Sequence, residues 1–97
     1  MKVLMIGMGM VAQTHVMAWR DNTCGLRLQG VLGRDPERTD AFSNAASDTV
    51  GYTVKPFDAL ADAVADRPDM AIVLTPPNAR LNYATALANA CIPTLFE

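Results

Sequence analysis

The stretch that decides the fold is Gly7-Met8-Gly9-Met10-Val11-Ala12, which directly follows the largely apolar run Lys2–Ile6. It matches the pattern G-x-G-x-x-G/A, which links a buried strand to a helix in dinucleotide-binding domains. In this pattern Gly7 permits the tight turn, Gly9 lets a diphosphate approach the backbone, and Ala12 allows close packing of the helix on the strand. The free amides at the helix start would attract the diphosphate. The alternative is that the glycines serve only the turn.

Outward from this turn, apolar blocks alternate with helical patterns along the whole chain. Strands are predicted at residues 2–6, 26–32, 51–54, 70–74 and 94–96. Helices are predicted at residues 10–21, from Asp35-Pro36 onward, from residue 57 to a stop at Arg67-Pro68, and at residues 78–90. Parallel strands joined by right-handed crossovers predict an α/β fold, a doubly wound Rossmann-type sheet of order 3-2-1-4-5 with helices on both faces. Residues 1–97 would then form a single dinucleotide-binding domain.

The helical patterns also predict caps and buried side chains. Asp35 is expected to cap the second helix and Asn78 the fourth. Because a residue other than glycine rarely adopts a positive φ, we expect Cys91 to end the fourth helix by a different turn. The side chains expected to face the core are Val11, Met17 and Ala18 in the first helix, Ala41, Phe42, Ala45 and Ala46 in the second, Phe57, Leu60, Ala61 and Val64 in the third, and Leu81, Ala84, Leu87, Ala88 and Cys91 in the fourth.

The composition narrows the class of protein. With 51% hydrophobic residues and a net charge of −2, the chain is expected to be globular and to lack the basic field that nucleic acid requires. Two cysteines far apart and one histidine give neither a disulfide framework nor a zinc site, so no metal is expected and a cytoplasmic location is favoured. No apolar run reaches the length of a membrane span. Lys2 and the apolar run after it also fit a short secretory signal, but we interpret the run as strand and turn.

The end of the second predicted strand bears on the choice of cofactor. NAD enzymes place an acidic residue there to bind the ribose hydroxyls, whereas this chain has Gly33 followed by Arg34. Gly33 leaves room for a 2′-phosphate, and the Arg34 guanidinium can bind it, with Arg38 adding to the site. These residues predict NADP as the preferred cofactor, with NAD possible. The alternative is that Arg34 is a solvated cation paired with Asp35 or Glu37.

Three segments together resemble a known family. They are Gly7-Met8-Gly9-Met10-Val11-Ala12-Gln13-Thr14-His15, Arg34-Asp35-Pro36-Glu37-Arg38, and Asp69-Met70-Ala71-Ile72-Val73-Leu74-Thr75-Pro76-Pro77-Asn78. Their order and spacing resemble those of the glucose–fructose oxidoreductase, inositol dehydrogenase and rhizopine-catabolism (Gfo/Idh/MocA) family of NAD(P)-dependent oxidoreductases. The resemblance covers essentially the whole chain.

The resemblance implies a set of cofactor contacts and a partial enzyme. Leu74, Thr75, Pro76 and Asn78 would border the nicotinamide half of the cofactor, and Glu97 would match the Glu of a Glu-Lys-Pro motif. The family's catalytic Lys follows that Glu, so no catalytic residue is assigned within residues 1–97. By this resemblance the chain is the N-terminal part of a larger two-domain oxidoreductase, whose C-terminal domain binds a small-molecule substrate, and we expect a homo-oligomer. The cofactor-binding residues expected in the glycine turn are Gly7, Met8, Gly9, Met10 and Val11.

Two classes of function therefore compete. The leading hypothesis is the NAD(P)-binding domain of an oxidoreductase that transfers hydride to or from a carbonyl or alcohol of a sugar, polyol or similar molecule. The alternative is a non-catalytic nucleotide-binding, sensor or interaction module. A methyltransferase fits less well, because its second strand usually ends in an acidic residue.

Overall fold

The computed structural model describes residues 1–7, 12–21, 25–75 and 77–96. Strands and helices alternate along these residues, as the sequence predicts. Their bounds are β1 (Lys2–Ile6), α1 (Ala12–Asp21), β2 (Arg27–Leu32), α2 (Pro36–Val50), β3 (Lys55–Phe57), α3 (Leu60–Ala65), β4 (Met70–Val73), α4 (Pro77–Asn89) and β5 (Thr94–Phe96).

The five strands form one parallel sheet in the order β3-β2-β1-β4-β5, which confirms the predicted topology. β1 lies at the centre, with Met5 opposite Val31 of β2 and Ile72 of β4. The chain moves outward from β1 to β2 and β3, then returns to the other side of β1 for β4 and β5. The carboxyl ends of β1 and β4 therefore lie side by side where the strand order reverses.

The core has one apolar layer on each face of the sheet. Because successive strand residues point to opposite faces, Val3 and Met5 of β1 pack with Val16 of α1 and Ala46 of α2. On the other face, the side chains that pack together include Leu4 and Ile6 of β1, Ala63 of α3 and Leu87 of α4. Helices cover both faces, so β1 is buried on both sides and its sequence is a nearly continuous apolar run.

The second helix begins and ends as local chemistry predicts. The Asp35 carboxylate accepts hydrogen bonds from the amides of Glu37 and Arg38, and Pro36 occupies the first turn. At the other end Gly51 has a φ of 82°, and its amide donates to the Ser47 carbonyl. This left-handed conformation suits glycine, which has no Cβ.

The predicted buried faces of the first two helices are partly wrong. Met17, Ala18, Ala41 and Ala45 are exposed and Phe42 is half-buried; Ala46 is buried as expected, and Val11 lies outside the described residues. α1 buries Ala12, Val16 and Trp19, and α2 buries Thr39, Ser43 and Ala46. The hydroxyls of Thr39 and Ser43 donate to the carbonyls of Asp35 and Asp40, so their polar atoms are satisfied inside the core.

The third strand was placed too early in the sequence. β3 comprises Lys55–Phe57, not residues 51–54, because Gly51 ends α2 and Val54 donates its amide to the Ser47 hydroxyl instead of joining the ladder. Phe57 consequently belongs to β3, and α3 is shorter than predicted. Within α3 the fully buried side chain is Ala63, whereas Leu60 and Val64 are half-buried and Ala61 is exposed.

The fourth helix differs from the prediction at both ends. It begins at Pro77, so the backbone of Asn78 lies inside the first turn and not before it, as predicted for a cap, and the Asn78 side chain lies outside the described part of the structure. Leu87 is buried as predicted and Ala84 is half-buried, but Leu81 is 75% exposed and Ala88 is also exposed. The small and apolar residues that the sequence repeats along α4 therefore include some that face solvent and do not contact the sheet.

Cys91, predicted to avoid a positive φ and to face the core, has a φ of 59° and is exposed. Its amide donates to the Ala88 carbonyl, and the Ile92 amide donates to the Leu87 carbonyl. These two bonds form a Schellman C-cap, and Ile92 packs in the same apolar cluster as Leu87. The burial of Ile92 and the capping bonds together outweigh the conformational cost at Cys91.

Candidate functional site

The candidate site lies where the carboxyl ends of β1 and β4 meet. Gly7 follows β1, and Leu74 and Thr75 follow β4. The Leu74 amide donates to the Ile6 carbonyl at 2.8 Å, which holds the two strand ends together. Because α1 and α4 cover opposite faces of the sheet, the strand order reverses at this point, which is where open α/β sheets form the crevice that binds a ligand.

Gly7 allows this close approach. Its φ is 95°, and its amide donates to the Leu32 carbonyl of β2 at 2.9 Å. A Cβ at this position would lie 3.1 Å from Thr75 Cγ2 and 3.2 Å from both the Leu74 carbonyl carbon and the Thr75 nitrogen. The first glycine of the motif is therefore required both by its backbone conformation and by the neighbouring loop.

Thr75 offers a polar atom beside this turn. The residue is half-buried, and its Oγ1 is fully enclosed without a hydrogen-bond partner in the part of the chain that the structure describes. A buried hydroxyl with no partner carries a free-energy cost of about 1–3 kcal/mol, which a ligand with a matching group removes. The Thr75 carbonyl, by contrast, accepts a hydrogen bond from Arg80 Nε at 3.2 Å.

The end of β2 lies next to Gly7 and carries the predicted phosphate-binding residues. Gly33 is half-buried and follows β2, while Arg34 and Arg38 are exposed. The Asp35 carboxylate binds the amides of Glu37 and Arg38, and among the residues described it forms no ion pair with Arg34. The interpretation of Arg34 as a partner of Asp35 therefore has no contact to support it.

The structure places the predicted residues in two adjoining groups. Gly7, Leu74 and Thr75 lie together at the crevice, and the β2 end contributes Gly33, Arg34 and Arg38. The backbone of Asn78 lies in the first turn of α4. The remaining predicted contacts, which fall outside the described residues, are Met8, Gly9, Met10, Val11, Pro76 and Glu97.

The sequence reasoning missed Arg80, which contacts the site through Thr75. An arginine near the start of an amphipathic helix is ordinary, and its bond to a carbonyl five residues earlier depends on how the loop folds back. No signal in the sequence distinguished it from a solvated side chain.

Two other features of the molecule are less suited to an anionic ligand. A largely apolar groove of about 250 Å³ is lined by His15, Ala18, Trp19, Leu26, Ile72 and Leu95. Asp66 lies near the amino ends of the strands, where hydrogen bonds from Lys55 and then Gln29 lower the pKa of its carboxyl. The groove is lined mostly by apolar side chains, and in the Asp66 cluster the Lys55 ammonium is already paired with a carboxylate, so neither resembles a diphosphate site.

No helix in the described ranges is long and apolar enough to cross a bilayer. The same ranges contain no group of three or more His, Cys, Asp or Glu side chains placed to hold a metal ion.

Comparison with models of protein families gave a match over the whole chain. A family model described as an oxidoreductase family with an NAD-binding Rossmann fold, GFO_IDH_MocA, matches residues 1–97. A search of curated protein sequences found no match.

Several solved structures share the fold. An oxidoreductase from Agrobacterium radiobacter, solved with NAD+, L-tartaric acid and magnesium, is 23% identical with a TM-score of 0.75; the match covers 96% of this chain and 26% of that one. Scyllo-inositol dehydrogenase from Lactobacillus casei, solved with NAD(H) and scyllo-inositol, is 19% identical with a TM-score of 0.78, and the match covers 98% of this chain and 27% of that one. A 3-ketoreductase from Actinomadura kijaniata, solved with NADP and TDP-benzene, is 14% identical with a TM-score of 0.79, and the match covers 99% of this chain and 29% of that one. The chain thus spans about a quarter of the length of each of these proteins.

Proposed function

The chain belongs to the GFO_IDH_MocA family of oxidoreductases with an NAD-binding Rossmann fold, and from this premise we propose that residues 1–97 hold the cofactor of an enzyme that transfers hydride between a nicotinamide nucleotide and a carbonyl or alcohol. The observation that carries the proposal is the crevice at the reversal of strand order, where Gly7 packs against Thr75. A bound nicotinamide nucleotide supplies the site that accepts or donates hydride.

The residues at the crevice fit such a ligand. The absence of a side chain at Gly7 lets this residue lie close to Leu74 and Thr75, and we propose that the turn up to Val11 binds the diphosphate through its amides. The enclosed Thr75 Oγ1 would hydrogen-bond the nicotinamide half, which gives this orphaned hydroxyl a partner. Leu74, Pro76, Asn78 and Glu97 are proposed to border the same half.

We further propose that NADP is preferred over NAD. The support is the absence of a carboxylate at Gly33 and the exposed guanidinium of Arg34 beside it, with Arg38 in the first turn of α2. A hydrogen bond to a charged group contributes about 1.5–3 kcal/mol, which corresponds to about 10- to 100-fold in affinity. Asp35 tempers this preference, since its carboxylate adds negative charge at the same helix start while capping it.

Isothermal titration with NADPH and NADH tests both proposals. We expect NADPH to bind at least about tenfold more tightly, and Arg34→Gln to remove most of that difference while changing NADH binding little. Arg20→Gln is the matched control, because Arg20 is also an exposed arginine, and its partner among the described residues is Asp21 at the end of α1. Equal affinities in the unaltered chain would contradict the preference for NADP, and no binding of either nucleotide would contradict the cofactor-binding role.

The substrate and assembly are proposed more broadly. We infer a sugar, polyol or related small molecule as substrate, handled by residues outside 1–97, with a homo-oligomer in the cytoplasm as the working form. The solved relatives named above were crystallised with tartaric acid, an inositol and a nucleotide-linked ligand, which are polar and mostly hydroxylated. A panel of such compounds, assayed for oxidation or reduction of bound cofactor, separates an enzyme from a non-catalytic nucleotide sensor.

A further inference from the structure

Thr75, which lies between β4 and α4, has a close neighbour on each side. On the β1 side, Gly7 lies so close that a Cβ there would be 3.1 Å from Thr75 Cγ2. On the α4 side, Arg80 donates its Nε–H to the Thr75 carbonyl at 3.2 Å. Thr75 therefore has its side chain close to Gly7 and its carbonyl hydrogen-bonded to Arg80.

The loop has few donors of its own. Residues 76 and 77 are both prolines, which have no backbone N–H. Thr75 lies two residues after Val73, the last residue of β4, so its carbonyl is beyond the ladder with β5. A side-chain donor from the following helix therefore takes the place of a nearby amide, and Arg80 provides it from one turn inside α4.

We propose that Arg80 is a positioning residue that sets the place of Thr75 in the crevice. The guanidinium Nε–H has a fixed direction within a planar group, and the half-buried side chain is restrained by α4. Fixing the Thr75 carbonyl also fixes the Thr75 side chain, whose Oγ1 is enclosed and otherwise unpartnered among the described residues. This inference rests on the proposed function, because it assigns Arg80 to the nicotinamide half of the cofactor site.

The two halves of the cofactor provide the test. ADP-ribose contains the adenosine, diphosphate and ribose of NADH but lacks the nicotinamide. Arg80→Met keeps an unbranched side chain that reaches the position of Nε and removes the guanidinium donors. We expect this variant to bind NADH about fivefold more weakly, the loss typical of one hydrogen bond, with less than about a twofold change for ADP-ribose. Arg20→Met, the matched control on α1, should change neither.

A variant of the positioned residue gives an independent readout. Thr75→Val keeps the shape of the side chain but removes Oγ1, so it should weaken NADH selectively as well. In the double variant the loss of NADH binding free energy should be smaller than the sum of the two single losses, because both substitutions act through the same hydroxyl. If Arg80→Met does not fold, Arg80→Lys decides: it retains the charge without the planar Nε–H and should still show the selective loss of NADH.

The outcomes separate the two levels of the argument. If the unaltered chain binds neither NADH nor ADP-ribose, the proposed cofactor function is wrong. If the unaltered chain binds NADH and ADP-ribose equally tightly, the function stands and the positioning role of Arg80 is wrong. The same conclusion follows if Arg80→Met weakens the binding of both ligands to the same extent, or the binding of neither. Additive losses in the double variant would likewise show that Arg80 does not act through Thr75.

Discussion

Replacing Gly7 by alanine tests how closely Gly7 lies to Leu74 and Thr75. The φ of 95° is unfavourable for alanine and costs about 1–3 kcal/mol. The new Cβ would also lie 3.1 Å from Thr75 Cγ2 and 3.2 Å from two backbone atoms, so the loop must move, which adds about 1–3 kcal/mol. We therefore expect Gly7→Ala to lower the free energy of unfolding by about 2–6 kcal/mol.

Gly51→Ala is the matched control for this prediction. Gly51 has a φ of 82°, but an added Cβ there meets no atom within 4 Å. This variant should carry only the conformational cost, about 1–3 kcal/mol. Urea unfolding at constant m-value measures both losses. Equal losses for the two variants would refute the close contact between Gly7 and the β4–α4 loop, and with it the geometry of the crevice.

Three further substitutions test the packing and charges around the sheet. Cys91→Gly should raise the free energy of unfolding by about 1 kcal/mol, because glycine removes the strain of a positive φ; an unchanged or lower melting temperature would contradict the cap. Tyr52→Phe should cost about 1–3 kcal/mol in urea unfolding, because the Leu28 amide loses its acceptor at 2.8 Å, and a neutral result would mean that water replaces the bond. The pKa of Asp66 is lowered from its ordinary value of 3.8, chiefly by the hydrogen bond from Lys55. The ionised Asp66 carboxylate therefore contributes its full stabilisation at pH values above 3.8, and this contribution disappears as the pH falls through the lower pKa of the folded state. Asp66→Asn should therefore be less stable than the unaltered chain at neutral pH and equal to it in strong acid, and a difference independent of pH would contradict the ion pair.

The topology could be predicted from the sequence because burial on both faces leaves a simple signal. β1 and β4 are nearly continuous apolar runs, and the turn at Gly7 and the cap at Asp35 mark where helices begin. Each of these features depends on residues close together in the sequence. The order of the strands then follows from the right-handed crossover.

The errors arose where tertiary contacts outweigh local preference. Thr39 and Ser43 are polar, yet they are buried because their hydroxyls bond to carbonyls of their own helix. Leu81 lies on an apolar repeat but faces outward, and Cys91 adopts a positive φ because the burial of Ile92 and two capping bonds favour it. The spacing of apolar residues alone does not predict which of these opposing free-energy contributions is larger.

The candidate site was predictable to a similar extent. The residue types of the glycine turn indicate its chemistry, whereas Thr75 was expected from the family resemblance, and the structure places Thr75 beside Gly7. Arg80 could not be found, because its role depends on the distance between its Nε and a carbonyl, which the sequence does not encode locally.

The most direct test of the account is an NMR titration of the isotope-labelled chain with NADPH. The account predicts that the largest amide shifts occur at Gly7, Gly33 and Thr75, at the carboxyl ends of β1, β2 and β4. The amides of Lys55 and Asp66, near the amino ends of the strands, should remain unchanged. Shifts confined to the apolar groove beside Leu95, or no shifts at Gly7 and Thr75 at saturating nucleotide, would contradict the central claim.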